Sequence, residues 1–228
     1  MESRVSLAPR HQIQSWRSVS GPRLFFLAAL LAVLLATFTR TFIVQGLFIP
    51  TGSMRPTLIA GDHILVGKLL YQPPRNGFLA ALRPSREVRR YDVLIFRSPG
   101  NPSVLRVKRC IGLPGELIAF KESVVWIDGR RLKADPHVYS PIGEATNALP
   151  SQGVRVPQGH YFVLGDNRSD SSDSRDLGPI PHSALVGRAL LVYWSFRPPP
   201  AKGEGTPWRS IRALAATTRW ARTFLPIH

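Results

Sequence analysis

The chain has 228 residues, 44% hydrophobic and 19% charged, which excludes a disordered or fibrous protein and leaves room for one core of ordinary size. Its single cysteine, Cys110, excludes an intrachain disulfide and a cysteine-rich zinc site. The net charge of +16 is scattered rather than blocked and no nucleic-acid motif accompanies it, so the charge points to anionic lipid and away from nucleic acid.

Residues 1–23 contain Arg4, Arg10, Arg17 and Arg23 and read as a basic tail. From Leu24 to Ala36 the sequence "LFFLAALLAVLLA" has no polar side chain, and after Thr37, Thr39, Arg40 and Thr41 the apolar character resumes as far as Val44. As a helix, Phe25 to Val44 would measure about 30 Å, the thickness of a bilayer core. Residues 24–44 are therefore expected to form one transmembrane anchor, with 1–23 in the cytoplasm and Arg40 reaching the headgroups. A cleaved signal peptide is the competing reading, because the uninterrupted stretch is short and Val44-Gln45-Gly46 has a small-x-small pattern. Cutting there would leave the remainder unanchored.

From here the pattern is β. Seven short runs rich in β-branched and aromatic residues are expected as strands: 63–68, 92–98, 104–113, 116–122, 123–132, 160–166 and 189–196. Asp128-Gly129 marks a turn inside the fifth. No long amphipathic helix interrupts them, so the domain reads as a β-barrel or sandwich-like fold. Residues 69–90 read as a basic surface loop, 133–158 as a loop or small cap, and 197–207, "RPPPAKGEGTP", as a linker. The last stretch sets Arg209, Arg212, Arg219 and Arg222 beside Trp208, Ile211, Leu214, Trp220 and Phe224. It suits a basic helix on a membrane surface or, equally, a helix packed on the domain.

Three stretches hold residues suited to chemistry. In "FIPTGSMRPTL", Ser53 sits between Gly52 and Met54, immediately after the hydrophobic segment, and is either a turn residue or a nucleophile. There is no G-x-S-x-G elbow and no H-E-x-x-H, and the six histidines show no metal-like spacing. A Ser-His-Asp triad through His63, His160 or His182 stays open, because triads assemble in space. Lysine is the other possible base. In "VLRVKRCIGLPGE", Lys108 lies in a strand between apolar neighbours. Desolvation bringing its pKa to about 8 would require roughly 3 kcal/mol of differential environment. The alternative is a strand lysine whose amine reaches solvent. In "GDNRSDSSDSRDLGPI" the acidic residues Asp166, Asp170, Asp173 and Asp176 fail the EF-hand pattern. Asp173 and Arg175 are placed to form an ion pair, and Ser171 to bond a nearby amine.

These three stretches, in this order behind an apolar segment, resemble the bacterial type I signal peptidases, or leader peptidases. That family consists of membrane-bound serine endopeptidases with a Ser-Lys dyad. The resemblance implies that Ser53 is the nucleophile and Lys108 the general base. It implies an oxyanion hole made by the Ser53 backbone N–H and the Thr51 hydroxyl, where the family often has serine. It further implies that Ser171 orients the lysine amine, that Asp173 and Arg175 form a supporting salt bridge, and that Gly165, Asp166 and Asn167 form the turn positioning this loop. Ile49, Pro50, Met54, Leu58 and Val107 match positions lining shallow pockets for small side chains. The implied fold is a mostly antiparallel β catalytic domain over 45–200, with a cap inserted within about 120–158, and a basic tail over 201–228. The implied partners are secretory preproteins, cut after small-x-small sites, and membrane lipid, with no metal and no cofactor. The implied location is the bacterial cytoplasmic membrane, single-pass, with the catalytic domain outside. Two alternatives stand beside it. One is another Ser-Lys peptidase, either a self-cleaving repressor, which the apolar segment opposes, or an organelle processing enzyme. The other is an inactive anchored scaffold, which would have no need of Ser53, Lys108 and Ser171 together.

Overall fold

A computed structural model of the chain describes residues 21–38, 44–68, 86–121, 124–132, 153–197 and 217–227. It divides into two units, Met1–Thr39 and Arg40–His228.

In the first unit, α1 (Gly21–Phe38) is an 18-residue helix of leucine, alanine and phenylalanine, residues that pack a helix without competing for its backbone. Its large side chains are exposed all round; Leu24, Phe25, Leu31 and Leu35 are each more than half accessible. Among the described residues no helix is long and apolar enough to cross a membrane. The expected 24–44 helix also ends sooner than its apolar content suggests. Val44 is not its last residue but the first of a strand, β1 (Val44–Phe48).

In the second unit, β1 pairs antiparallel with β2 (Asp62–Gly67), from Val44 opposite Gly67 to Phe48 opposite His63. The chain then forms β3 (Val93–Ser98), β4 (Asn101–Gly112), β5 (Leu117–Lys121), β6 (Val124–Ile127), β7 (Arg130–Arg131), β8 (Val154–Arg155) and β9 (His160–Leu164). After these come a one-turn helix, α2 (Ser174–Leu177), then β10 (Ile180–Pro181), β11 (Leu185–Ser195) and β12 (Leu225–Pro226). The main sheet runs β1-β2-β11-β3-β4-β9-β10, with β12 added against β11. A second sheet runs β7-β6-β5-β8. The pairings are antiparallel, as a chain of hairpins and short loops requires.

β3 reads "VLIFRS" and buries four apolar residues in a row, which marks a central strand covered on both faces. One face contributes to a core with Ile49, Met54, Leu58, Ile64 and Val192. The other packs with Cys110, Tyr161 and Val163. A third cluster joins Ile111, Phe162 and Leu164 of the main sheet to Ile118, Val125 and Ile127 of the small one. The small sheet is built from the two described ends of the region expected as the cap. Its β6–β7 turn has positive φ at both Asp128 and Gly129, which suits a two-residue hairpin. Residues 133–152 of that region lie outside those described.

Of the C-terminal stretch, 217–227 is described. It forms a 3-10 turn at Trp220–Arg222 and then β12, so this part is not a helix on a membrane surface. Arg222 turns inward to meet the buried Asp62, Nη2 to Oδ2 at 2.7 Å, and donates to Thr57 O at 2.8 Å. Ile227 is buried against the same core as Met54 and Leu58. Trp208, Arg209, Ile211, Arg212 and Leu214 lie outside the described residues.

Candidate active site

The turn after β1 carries the serine. Arg55 N donates to Gly52 O and Leu58 N to Met54 O, so residues 52–58 coil tightly. That coil drives Met54 and Leu58 into the core and leaves Ser53 half-exposed. The lysine comes from β4, whose first half is exposed and whose second half is buried. Lys108 sits where the strand goes under, paired opposite Leu94 of β3. Its side chain reaches the serine, and Lys108 Nζ and Ser53 Oγ lie 2.7 Å apart, a short hydrogen bond. Lys108 is only 4% exposed. Its pKa is lowered to about 8, first by burial and then by Arg106 and Arg175, while Asp173 and Asp166 act in the opposite sense. The chain thus supplies the perturbation that an amine base requires.

The third stretch braces both. β9 ends at Leu164, and the loop beyond folds back on the serine turn. Asn167 N donates to Ser53 O at 3.1 Å and Asn167 Nδ2 to Gly52 O at 3.3 Å. Gly165 is where the two backbones press together: a Cβ there would lie 2.6 Å from Ser53 O and 2.2 Å from Ser171 Oγ, so only glycine fits without displacement. Asp173 and Arg175 form the expected ion pair, buried and two-pronged at 2.9 and 3.0 Å. Asp173 also caps α2 and accepts from Gly165 N at 3.0 Å. Val163 N donates to Ser174 Oγ at 2.9 Å, tying the loop to β9.

Two expected roles do not appear. Ser171 Oγ is buried against Gly165 and has no hydrogen-bond partner among the described residues; the Lys108 amine bonds Ser53 instead. Leu58 is fully buried in the core and does not line the groove, because the 52–58 coil points it inward. The other four pocket residues, Ile49, Pro50, Met54 and Val107, do line a groove of about 470 Å³ that contains Thr51, Ser53 and Lys108. Leu47, Phe48, Val104 and Leu105 extend its apolar wall.

One major partner was not expected. Asp166 is not simply a turn residue: it forms a fully buried, two-pronged pair with Arg109, at 2.7 and 2.8 Å. Arg109 also donates to Tyr91 O and Thr57 Oγ1, so it joins β4, the 165–178 loop and the serine turn. The only signal in the sequence was adjacency, since residues 108 and 109 of a strand must face opposite sides.

No histidine lines the groove among the described residues. His63 stacks at 5.0 Å on Trp194 and burial lowers its pKa; His160 contacts Gln158 O and His182 the Tyr161 hydroxyl. Among the described residues no cluster of His, Cys, Asp or Glu suits a metal ion.

A serine hydroxyl bonded to a buried lysine amine, in an apolar groove of an antiparallel β domain, can chemically supply a nucleophile and an amine base. Comparison with known proteins agrees in class. The family model described as signal peptidase, peptidase S26, matches residues 23–194, and the chain belongs to that family of peptidases. It is 32% identical over 193 residues to a signal peptidase I of Pseudomonas aeruginosa, covering 70% of this chain and 68% of that one. It is 33% identical over 176 residues to a signal peptidase I of Bacillus caldolyticus, covering 73% and 88%. A crystal structure of a signal peptidase I from Enterococcus faecalis V583 matches with 32% identity and a TM-score of 0.38, over 45% of this chain and 97% of that one.

Proposed function

We propose that this peptidase removes N-terminal signal peptides from secretory preproteins at the outer face of a bacterial cytoplasmic membrane, with Ser53 as nucleophile and Lys108 as general base. The observation that carries the reading is the 2.7 Å contact between Ser53 Oγ and an almost fully buried Lys108. In the neutral state the serine O–H donates to the amine lone pair. As Oγ attacks the scissile carbonyl carbon, that proton passes to Nζ, and the carbonyl oxygen becomes an oxyanion. The Ser53 N–H and the Thr51 hydroxyl are the donors proposed for it; removing one such donor costs about 10²–10³ in turnover. Collapse breaks the C–N bond, and the ammonium returns its proton to the leaving amine. Water, deprotonated by the same amine, then cleaves the acyl-serine ester.

The apolar lining by Ile49, Pro50, Met54 and Val107 supports recognition of small side chains on an extended peptide. The fully apolar stretch from Leu24, with its exposed side chains, supports a role for 24–44 as the membrane anchor, with 1–23 cytoplasmic and 45–200 outside. Tethering would then hold the site where preproteins emerge. The test is cleavage of a preprotein with an Ala-x-Ala site in detergent micelles. Wild type is expected to cut, and Ser53→Ala and Lys108→Ala, each shown to be folded, are expected to be inactive. Cleavage by Lys108→Ala would remove the amine as base. A folded wild type that never cuts would favour the scaffold. Alkaline washing of membranes, which strips peripheral proteins, is expected to leave the full chain behind.

A further inference from the structure

The groove holds one cation that the chemistry above leaves unused. Arg106 lies two residues before Lys108 on β4, so the two side chains share a face of the strand. Both line the groove with Ser53. The guanidinium is held in place from two elements. Its Nε donates to Ser98 Oγ of β3 at 2.9 Å, and its Nη1 to Ser172 O at 3.4 Å. Neither partner is charged. Arg90, Arg109, Arg175 and Arg222 each bond a carboxylate, whereas Arg106 forms no salt bridge among the described residues. It is half-buried, positioned, and directed into a groove whose walls are otherwise largely apolar. Asp170 lines the groove as well, but it is exposed and solvent screens it more.

We propose that Arg106 is a specificity determinant that recognises a carboxylate side chain on the peptide about two residues from the bond Ser53 attacks, and disfavours lysine or arginine there. This rests on reading the groove as a peptide site. The register follows from strand geometry: Arg106 is displaced from Lys108 by about 6.6 Å along β4, and an extended peptide advances by the same rise per residue. The same cation also acts on the base. Lys108 is faced by Arg106 and Arg175, which disfavour its proton, and by Asp173 and Asp166, which favour it. Neutralising Arg106 is therefore expected to move the active pH range upward.

The test uses the full chain in detergent micelles carrying Ser53→Ala, so that nothing is cut. Matched fluorescent Ala-x-Ala peptides place Asp, Asn or Lys at each position from three before to three after the scissile bond, and binding is read by anisotropy. At one position the Asp peptide is expected to bind about three- to tenfold more tightly than the Asn peptide, with Lys weaker still, the range of a partly exposed charge pair. Adding Arg106→Gln should flatten the order and Arg106→Glu should reverse it. Arg97→Gln, an exposed arginine outside the groove, should leave it intact. Equal affinities at every position, or a preference that survives Arg106→Glu, would overturn the proposal. If the Ser53 protein cuts none of these peptides while the Ser53→Ala protein keeps the Arg106-dependent order, the proposed function falls and the Arg106 assignment stands. Charge-blind binding with efficient cutting gives the converse.

Discussion

Lys108→Met is expected to abolish cleavage and at the same time make the folded domain more stable near neutral pH. The amine is 4% exposed, and burial first, then Arg106 and Arg175, push its pKa from 10.5 to about 8 against Asp173 and Asp166. The sign follows from proton binding. The unfolded amine holds its proton more firmly than the folded one, so unfolding takes up a proton between pH 8 and 10.5. Within that window stability falls as pH falls, and below the folded pKa the whole penalty is in force. Its full size is about 3 kcal/mol. At about pH 6 all of it applies, and at about pH 9.5 roughly 1 kcal/mol is left, so the two conditions differ by about 2 kcal/mol.

Methionine fills similar space without charge. It also loses the hydrogen bond to Ser53, a cost of about 1 kcal/mol at either pH. The pH dependence of the mutational effect therefore isolates the charge. Urea unfolding of wild type and Lys108→Met, followed by tryptophan fluorescence at about pH 6 and pH 9.5, should give an effect about 2 kcal/mol more stabilising at the lower pH. An effect identical at both pH values would mean that the folded domain does not disfavour the ammonium. The argument for Lys108 as a base would then lose its physical ground.

Wild-type cleavage should rise with pH through about 8 as Lys108 loses its proton, and a profile flat from pH 6 to 10 would count against it. Gly165→Ala puts a methyl 2.6 Å from Ser53 O, and the serine turn must shift by about 0.5 Å or more; at least a tenfold loss of kcat is expected, and unchanged kcat would show that the turn is not pinned there. Arg222→Ala leaves the buried Asp62 with Ser195 and the Ile59 N–H alone; a loss of about 2–3 kcal/mol is expected in urea unfolding, with Arg222→Lys intermediate, and a loss under 0.5 kcal/mol would show that 217–227 is not a clamp.

Ser53, Lys108 and the Asp173–Arg175 pair were legible because each stands inside a compact stretch with its neighbours. The Asp166–Arg109 pair was not. The residues are 57 apart, and they meet only because β4 and β9 pair with Arg109 opposite Leu164. No local pattern encodes that register. Val44 was read as the end of a helix because a short apolar run suits a helix or a strand equally; its pairing with Gly67 decides the matter. Leu58 was read as lining a pocket because composition cannot tell which way a coiled turn points a leucine. Ser171 stands near the amine in sequence logic, yet the close packing on Gly165 aims its hydroxyl elsewhere. At the C-terminus, arginine and tryptophan suit lipid and protein alike, and only the buried Asp62 on β2 shows what Arg222 is for.

The charges around Lys108 follow one logic. A free carboxylate beside an amine keeps its pKa high, since attraction holds the proton in place. Two buried carboxylates, Asp166 and Asp173, nevertheless lie close enough to raise its pKa. Each is committed on both oxygens to an arginine, Arg109 or Arg175, and Asp173 accepts backbone N–H groups as well. The pairs let the loop use carboxylates as braces while Arg175 offsets part of the pull of Asp173 at Nζ. Burial then governs the amine. The ion pairs behind Ser53 and Lys108 therefore have a task beyond holding the loop: they permit rigid polar bracing of Ser53 within reach of an amine whose pKa burial keeps low.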